Sequence, residues 1–310
     1  MFDRTFITEA ITRSTKPGLD RRTFMAAAGL TSAGVGAAAL VGGGSSAFAA
    51  GSSSHISDAD VLNFALNLEY LEAEFYLMAT RGFGLAPGAT FGKGDRGPVI
   101  GGRKVPFVTK NVKQYADEIA IDEQDHVMFL RQTLGSAKVA RPTIDLVDSF
   151  TAAAMAAGLI GPGETFDAFE SEANFLLAAF IFEDVGVTAY KGAAPLLVNK
   201  TILEAAAGLL AVEAYHAANI RTVLVQQGLE DASVAISNAR DSLDGPEDKD
   251  QGVRLDGRAN IVPTDSNGLA FSRTTGEVLN IVYLNPDSVT EGGFFPDGVN
   301  GVINTSDDNA

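Results

Sequence analysis

Apolar residues at Val61, Leu62, Ala65, Leu68, Leu71, Phe75 and Met78 follow the three-and-four spacing that presents one helix face to a core. Ser57 or Asp58 stands at the N-cap, so a first helix is predicted to about Thr80. A second, capped by Thr109, is predicted to run to about Leu134 and end at Gly135. A third starts near Thr165 and passes through Phe169, Phe175, Leu176, Ala179, Phe182 and Val187 to Tyr190. Its stretch from Ala173 to Phe182 is apolar almost all round, which predicts deep burial. A fourth follows the Asn199 cap to about Gln227, before Gly228. Shorter helices are expected near Leu146 to Ala157 and from Asp231 to Leu243, with a short helix or strand from Glu277 to Leu284. The pattern is all-α.

The connections differ in kind. Arg81 to Phe107 is rich in glycine and carries Lys93, Arg96, Arg103 and Lys104; it fits no phosphate-binding fingerprint and reads as a surface loop, with a lid over one bundle end as the lesser alternative. Ser136 to Glu164 is long enough to cross the length of a bundle between two helical hairpins. Beyond Gly245-Pro246 glycine, aspartate and asparagine rise, yet Ile261-Val262-Pro263, Ile281-Val282-Tyr283-Leu284 and Phe294-Phe295-Pro296 are too apolar for a disordered tail. An irregular extension packed on the bundle is expected over 231–310, with 57–230 as the bundle. Its aspartates lack EF-hand spacing and read as turn formers.

Polar residues inside the apolar stripes carry the chemistry. Glu123 and His126, and again Glu213 and His216, stand three apart, one turn along the same helix face. Upstream of each pair lies a Glu with a Tyr seven residues on, Glu69 with Tyr76 and Glu183 with Tyr190. Arg131 and Arg221 follow their histidines by five, and Leu134 and Leu224 by eight, so the two halves read as copies. Four Glu and two His on four helices are the donor set of a carboxylate-bridged dinuclear centre. The candidate metal ligands are Glu69, Glu123, His126, Glu183, Glu213 and His216, with Glu123 and Glu213 bridging. A lone Glu-x-x-His pair is more often surface decoration or a core hydrogen bond; the repetition reverses that balance. Tyr76 and Tyr190 are candidate supports for a carboxylate or imidazole, with plain core tyrosines as the rival reading. Arg131 and Arg221 pair with buried carboxylates or end their helices in solvent. Glu72, one turn from Glu69 and matched by Gly186 in the second half, is an extra ligand or an asymmetric shuttle base, with a surface or capping role as the rival reading. Glu74 and Glu172 are read as solvated.

This chain resembles the ferritin-like superfamily. The run Asn67-Leu68-Glu69-Tyr70-Leu71-Glu72-Ala73-Glu74-Phe75-Tyr76, the exported N-terminus and the long tail are most similar to the secreted ferritin-like family that includes plant and bacterial desiccation-related proteins. The resemblance covers roughly Ser57 to the end. It implies a four-helix bundle of two hairpins with a long crossover, and two bound ions per chain. Mixed carboxylate and imidazole donors favour iron or manganese, with zinc a further candidate. The implied reactions are ferroxidase-like oxidation of ferrous iron and manganese-catalase-like disproportionation of hydrogen peroxide. A structural, self-assembling protective protein is the alternative, with a homo-oligomer as its expected partner state. A closed iron-storage shell fits poorly with a tail of this length.

Composition narrows these readings. The chain carries −16 at pH 7; residues 1–49 hold five Lys/Arg and three Asp/Glu, so the remainder carries 18 against 36, or −18. Nucleic acid and anionic membranes are therefore poor partners. No cysteine is present, which excludes disulfides, thiolate zinc, iron–sulfur clusters and a rubredoxin-type centre. Of three histidines, His55 alone lies outside the repeated motif. Asp20-Arg21-Arg22-Thr23-Phe24-Met25, the apolar run Ala26 to Val41 and the closing Ala47-Phe48-Ala49 resemble a twin-arginine export signal cleaved after Ala49, followed by a flexible leader over 50–56. An uncleaved anchor is the rival. Export places the protein in the periplasm or outside the cell, with no stable membrane insertion once the signal is removed.

Overall fold

The computed structural model describes residues 56–309, so the expected export signal and nearly all of the leader, His55 included, lie outside the described residues. Four long helices form the frame: α1 (Asp58–Arg81), α2 (Lys110–Leu134), α4 (Glu172–Ala193) and α5 (Lys200–Gln226). Between the hairpins lies the short α3 (Asp148–Ala156), and beyond them α6 (Glu230–Asp241) and α7 (Thr275–Tyr283). α1 packs along α2 and α4 along α5, while α1 meets α4 and α2 meets α5 across the bundle. The architecture is a four-helix bundle of two hairpins joined by a long crossover.

Local chemistry sets the helix ends. Ser57 and Asp60 form a reciprocal capping box at the start of α1, and Gly82, at φ +82°, closes it with a left-handed cap on Met78 O. Asn199 Oδ1 caps α5 at Thr201 N, 2.9 Å away, and the Asp58 carboxylate accepts from Val198 N and Asn199 N at 2.8 and 2.9 Å. That contact fixes the start of α1 against the start of α5.

One predicted start moves, and one expected side-chain cap is not made. The third long helix begins at Glu172 with Ser171 as its cap, seven residues later than Thr165, because Asp167 turns the chain: its Oδ1 accepts from Phe169 N and its carbonyl from Asn174 Nδ2. Thr109 precedes α2 but its hydroxyl caps nothing. Glu172 does the work from α4, accepting from Val108 N at 3.1 Å and Thr109 N at 2.9 Å. Glu172 is therefore buried, contrary to its solvated reading, and so is Glu74, which pairs with Arg141 of the crossover.

The glycine-rich connection is a packed layer. Its strand β1 (Val99–Ile100) pairs in parallel with β2 (Ile144–Asp145) of the crossover, and Lys93 bridges Val139. A Cβ at Gly92 would lie 2.2 Å from the Val139 carbonyl carbon, and one at Gly97 2.2 Å from Thr143 N, so both positions need glycine for close backbone approach.

The extension completes the core. Phe75 stands among Tyr76, Phe150, Phe169, Phe175 and Phe182, and Phe294 packs on Phe150 and Phe182 at 5.1 and 4.9 Å between ring centroids. Each such side chain contributes about 1.5–3 kcal/mol when removed from water. A β-hairpin of β3 (Arg254–Leu255) and β4 (Arg258–Ala259) precedes α7. Helix α4 is long and apolar enough to cross a membrane, but most of its apolar stretch is buried by the rest of the protein.

Candidate metal centre

Helix periodicity brings the expected donors to the bundle axis. α1 supplies Glu69, Glu72 and Tyr76, α2 Glu123 and His126, α4 Glu183 and Tyr190, and α5 Glu213 and His216; all these carboxylates and imidazoles are buried. Glu69, Glu123, His126 and Glu213 each offer a donor atom within 4.8 Å of the others, and Glu123, Glu183 and His216 form a second such group. Glu72, Glu183 and Glu213 form a third. Glu123 belongs to the first two groups and Glu213 to the first and third, the placement that bridging donors require. The imidazole rings face each other with centroids 6.2 Å apart.

The donor atoms are close but unpaired. His126 Nδ1 lies 3.2 Å from Glu69 Oε2 and 3.4 Å from Glu213 Oε1, and His216 Nδ1 lies 3.0 Å from Glu123 Oε1. None of these approaches has hydrogen-bond geometry: both Nδ1 atoms, both oxygens of Glu123 and of Glu213, and one oxygen each of Glu69, Glu72 and Glu183 are buried without a partner. An unsatisfied buried polar group costs about 1–3 kcal/mol, and more if charged. Nine such atoms converging on one space fit cations, which accept several oxygen and nitrogen donors at once.

The tyrosines cross the bundle reciprocally. Tyr76 on α1 donates to Glu183 Oε1 on α4, and Tyr190 on α4 donates to Glu69 Oε1 on α1. Each phenol occupies one oxygen of a carboxylate and leaves the other facing the centre. Asp122 Oδ2 lies 3.1 Å from His216 Nε2, the carboxylate–imidazole contact that fixes a ligating ring with Nδ1 turned inward.

Charge is in conflict at the centre. Burial, opposed by His126 and reinforced by Glu123, pushes Glu69 up to about 8. Burial and neighbouring carboxylates also hold Glu72 far above the ordinary carboxylate range, and burial with Glu123 raises Glu213. Burial would raise Glu123 too, but His126 and His216 on either side hold it low. Burial disfavours the charged form of His216, yet Glu183 and Asp122 push it up to about 11; Glu69 likewise overrides burial at His126 and raises it. Protons thus neutralise a carboxylate cluster that would otherwise repel itself.

The family model for the ferritin-like domain matches residues 57–226, which cover all four long helices and every donor. The chain belongs to the ferritin-like family. It is similar to a ferritin-like catalase, Nec2, of Nesocodon mauritianus, with 30% identity over 272 residues that cover 80% of this chain and 85% of the relative. It is also similar to the desiccation-related protein PCC13-62 of Craterostigma plantagineum, with 33% identity over 246 residues, 70% of this chain and 75% of the relative. No solved structure matches significantly.

In this ferritin-like chain the two arginines of the repeated motif part company. Arg221 is buried against Asp184 at 2.7 Å, whereas Arg131 is buried on the Tyr70 hydroxyl and Gly88 O and meets no carboxylate. Asp122, beside His216, and Asp184, beneath Arg221 and Arg240, are contacts that sequence patterning passed over. Asp122 lies four residues before His126 but serves His216 from the facing helix; the sole trace is that its counterpart in the second half is Val212.

Proposed function

We propose that the chain is an exported ferritin-like protein whose centre holds two iron or manganese ions and disproportionates hydrogen peroxide; zinc, which fits the donors but has no redox chemistry, would leave it inactive. The supporting observation is the convergence of four glutamates and two histidines whose inward atoms have no protein partner. A relative named as a catalase over most of its length supports peroxide over ferrous iron or oxygen as the substrate. Two bound ions, each cycling by one electron, would supply the two electrons that pass between a pair of peroxide molecules, giving oxygen and two waters.

The protein's own part is positional. Glu69 and His126 would hold one ion and Glu183 and His216 the other, with Glu123 and Glu213 available to both. Tyr76 and Tyr190 lock the outer carboxylates, and Asp122 locks His216. The apolar walls of α1 and α4 exclude bulk water, which confines the reaction to small neutral molecules. Residues 1–49 direct twin-arginine export of the folded chain, to the periplasm or beyond the cell.

One preparation tests the whole reading. Expressed in a host competent for that route, the chain should leave the cytoplasm, whereas Arg21→Lys with Arg22→Lys should retain it. The exported protein should carry about two iron or manganese ions and consume peroxide. Glu123→Ala, which removes a shared donor, or His126→Ala, which removes the imidazole of one ion, should reduce turnover by two or more orders of magnitude. Unchanged turnover in either variant rejects the catalytic reading.

A second reading, a protective protein in which the metal only stabilises the core, is favoured by the desiccation-related relative and by the buried ion-pair network outside the centre. It predicts bound metal without peroxide consumption, together with self-association.

A further inference from the structure

The two halves of the bundle correspond residue by residue, Glu69 with Glu183, Tyr76 with Tyr190, Glu123 with Glu213 and His126 with His216, and they break that correspondence at two positions next to the centre. Glu72 on α1 is matched by Gly186 on α4, and Asp122 on α2 by Val212 on α5. Both departures fall on the same side. Glu72 groups with Glu183 and Glu213, and Asp122 reaches the back of His216.

Gly186 makes the first departure possible. A Cβ there would stand 2.4 Å from Glu213 Oε2 and 3.4 Å from Glu72 Oε1, so the space that a side chain would fill is occupied by two carboxylates from other helices. Glu72 is 6% exposed, and its Oε2 has no partner. The pocket behind it, lined by Leu68, Phe182, Val185, Ile281, Val282 and Phe294 among others, has room of about 10 Å³, no more than a single water. The walls on that side are apolar, and among the described residues no protein group pairs with Glu72 Oε2; the carboxylate groups instead with Glu183 and Glu213.

Resting on the dinuclear reading above, we propose that the two metal positions are inequivalent: Glu72, admitted by Gly186, is an additional donor to the ion held by Glu183 and His216, and Asp122 further fixes that ion's imidazole. The Glu69/His126 position then has Glu69, His126, Glu123 and Glu213 for donors, and the other has Glu183, His216, Glu123 and Glu213 with Glu72 besides. The better-furnished position retains its ion longer. Its added oxygen donor also suits iron and manganese, which accept more ligands than the four typical of structural zinc. Gly186 is a specificity-determining residue by what it leaves out.

The test is metal release from the exported mature chain loaded with manganese(II) alone and diluted into a chelator, followed as free metal against time. The wild type should release two ions in two phases. Glu72→Gln should speed the slow phase about ten- to a hundredfold, the scale of losing a supporting ligand interaction, and change the fast phase less than about twofold; Gly186→Ala, whose Cβ would stand nearer the shared Glu213 than Glu72, should speed both phases. Asp122→Asn should act in the same direction on the slow phase. Gly186→Ala should not unfold the helix, because alanine is the better helix former and the group it displaces is the end of a flexible side chain; unchanged helicity of the metal-free variant by circular dichroism checks this. A merely structural Gly186 would instead lower the helicity of the metal-free variant. Single-phase release by the wild type, or a slow phase unmoved by Glu72→Gln, overturns the proposal and leaves the dinuclear reading standing. A wild type that binds fewer than two ions overturns both.

Discussion

At the scale of single residues the centre is a contest between burial and charge. Glu69 is pushed up to about 8 and His216 up to about 11, so both hold protons at neutral pH while no cation is bound. Metal ligation requires the deprotonated forms. Loading the centre with manganese(II) at pH 7 should therefore release protons, and metal affinity should weaken as pH falls. Calorimetry in buffers of differing ionisation enthalpy measures the release directly; a proton count of zero would mean that these groups are already deprotonated in the free protein. Glutamate and histidine at three-residue spacing could be read from the sequence because the side chains share a rigid helix. Glu74 was misread for the complementary reason: Arg141, its partner, lies 67 residues away, and no local pattern announces it.

Single elements were legible where their signals are local. The α1 cap at Ser57, one of two expected candidates, the α5 cap at Asn199 and the closing glycine at 135 sit at the expected positions. The start of α2 falls where expected, with Thr109 at the cap position, but its support was not legible: Val108 N and Thr109 N are satisfied by Glu172 from α4. Glu172→Ala should leave those N–H groups without an acceptor and cost about 1–2 kcal/mol. It should lower the urea midpoint and speed amide exchange at residues 108–112. Exchange rates equal to those of the wild type would show that solvent caps the helix equally well.

For the molecule as a whole, the extension is part of the core. Arg273 pairs with Asp244 at 2.5 Å and with Asp250; Asp250 also meets Arg240, which shares Asp184 with Arg221. Arg221 Nη2 further donates to Gly252 O and Asn260 O. This chain of buried charges binds residues 244–273 to α4, α5 and α6. Ending the chain after Gly245 removes Asp250, Arg273 and Phe294 together, leaving Arg240 with one carboxylate fewer and the Phe150–Phe182 face bare. Breaking one buried ion pair costs about 3–5 kcal/mol, against a total stability of about 5–15 kcal/mol. The truncated protein should fail to fold, giving insoluble material or lost helicity by circular dichroism. A soluble helical product that still binds two ions would show the extension to be dispensable.

The sequence by itself determined four helices, their donors and the doubled motif, because spacing along a helix converts directly into a shared face. The two hairpins and a tail packed on them also followed from local pattern. Tertiary structure alone decided that Tyr76 serves Glu183 and Tyr190 serves Glu69, that Asp122 backs His216, and that Glu72 fills the space Gly186 leaves. Those pairings join residues far apart in the chain and depend on how each helix is rotated and where it crosses its neighbour. Packing of the complete bundle and its extension sets that rotation, and no local period contains it.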